Sequence, residues 1–358
     1  MTAYLPGRLG NSEQTLGTDP RLDPRLRAAL EKLGMLDVYT ADMPVQASYE
    51  ECLAFCTAFE TADTLGHPAE QAAMPAFDDV ESTTQVITGG DGNALTLFID
   101  RPKAYSGMLP AIVHTHGGGM AIMTAADPAF VRWRKSLASA GLLVVGVEFR
   151  NAGGKLGNHP FPAGLDDCAA ATRWVHANRE KLGVSAIVIS GESGGGNLAI
   201  ATTLKAKKEQ WLEHIDGVFA CCPYISGTYT QPPEDLVSQF ENADYMLGAA
   251  TMGALVKAYD PTGANASNPL AWPMWANITD LKGLPPHIIS VNELDPLRDE
   301  GLVYFRKLMA AGVSVSARTV HGTPHAGDLM FPDINPEVYA DSLRSVVAFA
   351  RSLAKVSA

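Results

Sequence analysis

Short apolar runs rich in β-branched residues alternate along most of this chain with longer stretches whose apolar positions recur at helical spacing. The runs at 111–114, 142–147, 186–190, 218–221, 287–291 and 313–320 read as strands, and the stretches at 128–140, 165–182, 197–205, 300–310 and 336–354 read as helices. Such alternation implies an α/β architecture, a mostly parallel sheet covered by helices on both faces. Two helical patterns, 24–36 and 48–65, come before any strand, with Pro- and Asp-containing loops between them. Two strands at 84–88 and 94–99 then flank Gly89-Gly90-Asp91-Gly92-Asn93, a turn-rich segment suited to a hairpin. The stretch 224–278 interrupts the rhythm with Pro232-Pro233, polar loops and a helical pattern at 249–259. An insertion at a strand's C-terminal end lies where open α/β sheets carry their active sites.

With 358 residues, 46% of them hydrophobic, the chain can build one large α/β domain or two ordinary ones. The net charge of −12, with scattered basic residues, lacks the electrostatic footprint of a nucleic-acid binder. Residues 1–10 lack a basic start followed by an apolar run, and no segment is long and apolar enough to span a bilayer. The expectation is a soluble, cytoplasmic protein with no stable membrane association. Cys52, Cys56, Cys168, Cys221 and Cys222 form neither a disulfide framework nor a metal-ligand pattern, and read as buried structural thiols.

The chemistry concentrates at Gly191-Glu192-Ser193-Gly194-Gly195, directly after the strand at 186–190 and before a helix. In a nucleophile elbow the serine sits at a strained strand-to-helix turn, with flanking glycines that avoid clashes. Serine is a poor nucleophile at its free pKa and needs a base and a group to orient that base. Asp295, on the loop after the strand at 287–291, is the candidate carboxylate, with Glu293 and Asp299 as rivals and a helix N-cap as its ordinary use. His325, in a small-residue loop after the last strand, is the candidate base, with His321 as its competitor among nine histidines. The order Ser, Asp, His is the one expected for a triad on this architecture. His116-Gly117-Gly118-Gly119, after the strand at 111–114, supplies consecutive glycines whose N–H groups can approach a developing oxyanion. No Lys-Ser/Thr follows that run and no Gly-x-Gly-x-x-Gly opens a helix there, so a nucleotide-using enzyme is poorly supported.

With these elements in view, 101–354 resembles the hormone-sensitive-lipase-like family of α/β-hydrolases, also called bacterial family IV esterases. The likeness rests on His116-Gly117-Gly118-Gly119, His159-Pro160-Phe161-Pro162 with Asp166-Asp167, Gly191 to Asn197, Asp295 to Glu300, and Gly322-Thr323-Pro324-His325. The resemblance implies an α/β-hydrolase fold: an eight-stranded, mostly parallel sheet with helices on both faces and a helical cap. It implies Ser193 as nucleophile, His325 as general base and acid, Asp295 as its orienting carboxylate, and the N–H groups of Gly118, Gly119 and Gly194 as oxyanion donors. The core would comprise 82–223 and 279–358, and the cap 1–81 and 224–278. Departures are Glu192 and Gly194 where the family usually has Asp and Ala, Met120 after the glycine run, and Ala326-Gly327 after the histidine. Glu148-Phe149-Arg150-Asn151-Ala152-Gly153 also lacks the Pro-Glu end of the family's Asp-Tyr-Arg-Leu-Ala-Pro segment. With the long N-terminal extension, these replacements look most similar to the brefeldin A esterase branch.

The expected function is a serine carboxylesterase that hydrolyses small to medium carboxylic esters through an acyl-enzyme, without cofactor or metal. A lactone, amide or carbamate hydrolase would use the same triad. A non-catalytic small-molecule receptor on this fold would lack a triad member, and all three candidates are present. Met120, Met123, Trp133, Phe149, Tyr224 and Met246 are candidate pocket residues, although such side chains also serve as core. An edge strand at 313–320 offers pairing across a two-fold axis in a homodimer.

Overall fold

The structure, a computed structural model, describes residues 5–38 and 47–354. Residues 1–4 and 39–46 of the expected cap, and 355–358 of the expected core, lie outside the described residues. Eight strands form one sheet: β1 Val80–Thr88, β2 Ala94–Pro102, β3 Leu109–Thr115, β4 Leu143–Val147, β5 Val184–Glu192, β6 Gly217–Cys221, β7 His287–Asn292 and β8 Val315–Val320. Their order is β1-β2-β4-β3-β5-β6-β7-β8, with β1–β2 and β2–β4 antiparallel and every later pairing parallel. The longer helices are α1 Pro24–Lys32, α2 Tyr49–Thr64, α3 Pro128–Ser139, α4 Ala163–Ala177, α5 Gly194–Lys208, α6 Ala249–Tyr259, α7 Arg298–Ala310 and α8 Pro336–Ser352.

The central strands β3, β4, β5 and β6 are buried along their whole length, which explains their unbroken apolar sequences. β1 starts four residues before the expected strand because Glu81 to Gln85 are exposed on the outer edge and show no apolar alternation. The single helix expected at 165–182 breaks at Asn178, whose side chain turns back to the carbonyl of Trp174 at 2.9 Å; a short helix, Arg179–Leu182, follows. α1 stops at Lys32, short of the expected 36, and Gly34 turns the chain at a φ of +68°. A short helix at His67–Ala73, with no buried residue to betray it, was not expected.

Two apolar layers flank the sheet. One joins α4, α5 and α7 to residues such as Val113, Ile187, Ile189 and Val291. The other packs Trp133 and Leu137 of α3 with Val346 and Val347 of α8 on Ile112, Val144 and Val188. A third, separate cluster buries Leu16, Leu22, Leu26 and Leu30 against Tyr245 and Leu294. The same N-terminal stretch is tied down by charge. Arg21 pairs with Asp19 at 2.7 Å and with Glu241, and Glu241 also pairs with Arg298 at 2.8 Å. In the other expected cap segments, α2 packs against α6.

Candidate active site

β5 ends at Glu192, and Ser193 follows at φ 57° and ψ −120° before α5 begins. A side chain held there is strained, so the surrounding contacts must determine it. They do: the Ser193 N–H donates to the Cys221 carbonyl at 2.9 Å, and its own carbonyl accepts the Tyr224 N–H at 3.1 Å. Ser193 is half-buried, whereas the residues around it, Val184 to Glu192 and Gly194 to Leu204, are buried.

The glycine run lies against this elbow. Gly118 and Gly119 adopt φ of +96° and +58°. A Cβ on Gly194 would fall 2.6 Å from the backbone nitrogens of both Gly119 and Met120, so the two segments meet at a distance only glycine allows. Among the described residues, none accepts the N–H of Gly118, Gly119 or Gly194. We expect Gly194→Ala to push the loop back and lower kcat about tenfold with little change in KM. Steady-state kinetics on a p-nitrophenyl ester would check this, and an unchanged kcat would count against the close approach.

The downstream loops supply a buried pair. The His325 ring shares a hydrogen bond from Nδ1 to Asp295 Oδ2 at 2.8 Å, and Asp295 Oδ1 accepts the Leu297 N–H at 2.9 Å. The Cys222 sulfur lies beside this pair, within 4.8 Å of a polar atom of each partner. Cys222 follows the residue that receives the Ser193 N–H, so imidazole and serine share one end of the sheet. Burial pushes the Cys222 thiol up to about 12, leaving it neutral at pH 7. Burial also opposes the His325 imidazolium, but the Asp295 carboxylate outweighs it and holds His325 above the ordinary histidine range. A base must be unprotonated to accept a proton, so kcat/KM should fall as pH drops through that raised value. The acid limb is expected above about 6.5, and removal of the Asp295 charge should move it down; a pH–rate profile of each protein measures both.

The rivals are engaged elsewhere. The His321 side chain is 76% exposed and 3.1 Å from Glu293. Glu293 accepts the Gly322 N–H at 2.9 Å, and Asp299 accepts the Ser238 N–H at 2.7 Å. Several expected pocket residues are core. Trp133 lies edge-on to Tyr339 between α3 and α8, Phe149 stacks on His116 at 4.2 Å, and Tyr224 stacks on Tyr229 at 4.4 Å. Leu255 of α6 instead reaches the glycine run, where a Cβ on Gly119 would meet it at 2.7 Å.

Two residues support the site in ways the sequence does not reveal, Glu192 standing out there only as a departure from the family's usual Asp. Glu192 accepts the Gly117 N–H at 2.9 Å and lies 3.0 Å from His114 Nε2, tying the elbow to the glycine run. Its place beside the serine was the available signal. Asn242 is fully buried and donates to the carbonyls of Glu293 and Asp295 at 3.0 and 3.1 Å, while its own oxygen accepts from Arg21 at 3.0 Å. Nothing in its sequence surroundings marks it. Asp23 adds a backbone hydrogen bond to Gly322, at 3.0 Å, in the histidine loop.

The sheet order and the strand–elbow–helix unit define an α/β-hydrolase. A family model described as the alpha/beta hydrolase fold matches residues 112–328. Carboxylesterase NlhH of Mycobacterium tuberculosis is 33% identical over 259 residues, 70% of this chain and 76% of that protein. The structure of brefeldin A esterase, described as a bacterial homologue of human hormone-sensitive lipase, superposes with a TM-score of 0.90 and 44% identity, covering 98% of this chain and 99% of that one. Esterase Est22 gives a TM-score of 0.84 at 35% identity, over 94% of this chain and 98% of that one. The chain belongs to the hormone-sensitive-lipase-like family of α/β-hydrolases, the bacterial family IV esterases. Among its described residues, no helix is long and apolar enough to cross a membrane.

Proposed function

We propose that the protein is a serine carboxylesterase acting on small to medium carboxylic esters, with Ser193, His325 and Asp295 as its triad and the N–H groups of Gly118, Gly119 and Gly194 as its oxyanion hole. The observation that carries this is the buried His325–Asp295 pair at 2.8 Å, at the sheet end that holds a strained, accessible serine. The esterase relatives support the substrate class.

Ser193 Oγ attacks the ester carbonyl carbon while its proton passes to His325 Nε2, the ring nitrogen that Asp295 leaves free. The carbonyl oxygen becomes an anion facing N–H groups that have no acceptor among the described residues, and each such donor is worth about 3 kcal/mol in the transition state. Collapse expels the alcohol, which takes the proton from Nε2. Water then repeats the sequence on the acyl-enzyme, releasing the acid and restoring Ser193. Of the described residues, 5–38, 47–79 and 224–278 form the cap over this site, Val80 and Glu81 belonging to β1 of the sheet. Leu255, at the glycine run, is a wall of the pocket.

Five unpaired, buried cysteines support a cytoplasmic location. The position of β8 at the sheet edge supports a homodimer, which light scattering on the purified protein would test. The decisive experiment for the activity is reaction with a serine-directed fluorophosphonate, followed by peptide mapping. The adduct is expected on Ser193 with parallel loss of p-nitrophenyl ester hydrolysis; an adduct elsewhere, or turnover that survives labelling, would overturn the assignment. A panel of acyl chain lengths that includes a lactone and an anilide would define the substrate.

A further inference from the structure

The segment that follows the glycine run is held by carboxylates rather than by regular secondary structure. Glu192 accepts the N–H of Gly117, Glu60 that of Met123 at 2.7 Å, Asp127 that of Thr124 at 2.9 Å, and Glu148 that of Ala125 at 2.8 Å. Three of these acids belong to the β-strand core or the loops beside it. Glu60 comes from α2, in the N-terminal segment. It is 1% exposed, and among the described residues it pairs with no Lys or Arg side chain. Its second oxygen accepts the Lys155 N–H at 2.6 Å. A buried carboxylate without a cation depends on such charge-assisted bonds.

The room for this carboxylate is specific. Gly154 sits at φ +64°, and a Cβ there would lie 2.6 Å from Glu60 Oε2. Met123, which Glu60 holds, is itself in the left-handed region at φ +70°, and its carbonyl accepts from Asn151 Nδ2 at 2.6 Å. Side chains thus fix both of its backbone groups. The strained turn continues upstream: Met120 is at φ +59° with its carbonyl bonded to the Ala152 N–H at 2.9 Å, and the Gly118 carbonyl receives the N–H groups of Ala121 and Ile122.

We infer that Glu60 is a positioning residue for the oxyanion donors: by clamping Met123 it sets the turn through Gly118 and Gly119, which makes α2 part of the catalytic apparatus as well as a cover. This rests on the assignment of Gly118 and Gly119 as oxyanion donors. Donors that are slightly misplaced fail most where charge develops, so the loss belongs in kcat and not in KM.

The test compares Glu60→Ala, Glu60→Gln and Gly154→Ala with the parent, using kcat per serine titrated by a fluorophosphonate, KM and the melting temperature. Glu60→Ala is expected to lower kcat per titrated serine about 10- to 100-fold with KM within about twofold. Glu60→Gln, which keeps one acceptor oxygen, should recover part of that loss. Gly154→Ala displaces the carboxylate without removing it and should reproduce the kcat defect; if Glu60→Ala fails to fold, this variant decides. A kcat per titrated serine equal to the parent's, whatever the melting temperature, would overturn the inference and show a purely structural role. Failure of the proposed serine-esterase site, to which those donors belong, would look different, because the phosphonate would then not react at Ser193 in the parent protein.

Discussion

Replacing Ser193 with alanine is expected to lower kcat for a p-nitrophenyl ester by about a million-fold, the loss seen when a triad nucleophile is removed. The size of the effect follows from what remains. The backbone bonds of Ser193 to Cys221 and Tyr224 do not involve its side chain, so the elbow and the donors of Gly118, Gly119 and Gly194 should persist. Binding and oxyanion stabilisation alone leave about 10³ to 10⁴ over the uncatalysed reaction. The variant should therefore bind substrate and melt like the parent while turning over almost nothing. Residual activity above about 1% of the parent rate would exclude an acyl-enzyme on this serine.

The second large effect is expected from Asp295→Asn, about 10⁴-fold in kcat with the fold intact. The direction comes from the second hydrogen bond of the carboxylate. Asp295 Oδ1 accepts the Leu297 N–H, so the oxygen of an asparagine is drawn to that side and its amide NH2 is left facing His325 Nδ1. An imidazole that must accept at Nδ1 carries its proton on Nε2 and cannot take one from Ser193. Asp295→Ala would lose the carboxylate and the Leu297 contact together, confounding catalysis with loop stability. Steady-state rates beside melting curves separate the two, and an asparagine variant within tenfold of the parent would remove Asp295 from its assigned role.

These expectations draw on parts of the molecule that were unequally legible in the sequence. The buried strands announced themselves because both their faces are apolar, and the elbow because Ser193 sits where such a strand meets a helix. His325 and Asp295 could be nominated from their loops, but their rivals could be set aside only when folding put His321 in solvent and Glu293 on a backbone N–H. β1 and the His67–Ala73 helix bury too little to imprint a pattern. The supports of the site were hidden for another reason. Glu60, Glu192 and Asn242 act mainly on backbone groups, which any residue carries, and the side-chain partners of the last two, His114 and Arg21, lie far away in the sequence. The same holds for the pocket, where Trp133 and Phe149 carry the composition of a binding surface but fill the core.

The anchoring of the N-terminal stretch bears on how the chain assembles. Arg21 meets Glu241 and Asn242 across separations of 220 and 221 residues, and Leu26 and Leu30 wait for Tyr245 and Leu294. On a ribosome these leucines are made well before the surfaces that bury them, so α1 has no tertiary partner while more than half of the chain is still being added. The Gly322 loop in turn receives a backbone hydrogen bond from Asp23, made early, and Arg21 reaches the Asp295 loop only through Asn242. Closing contacts of such long range is slow, and nascent chains stalled before residue 241 should keep an exposed, protease-sensitive N-terminal segment.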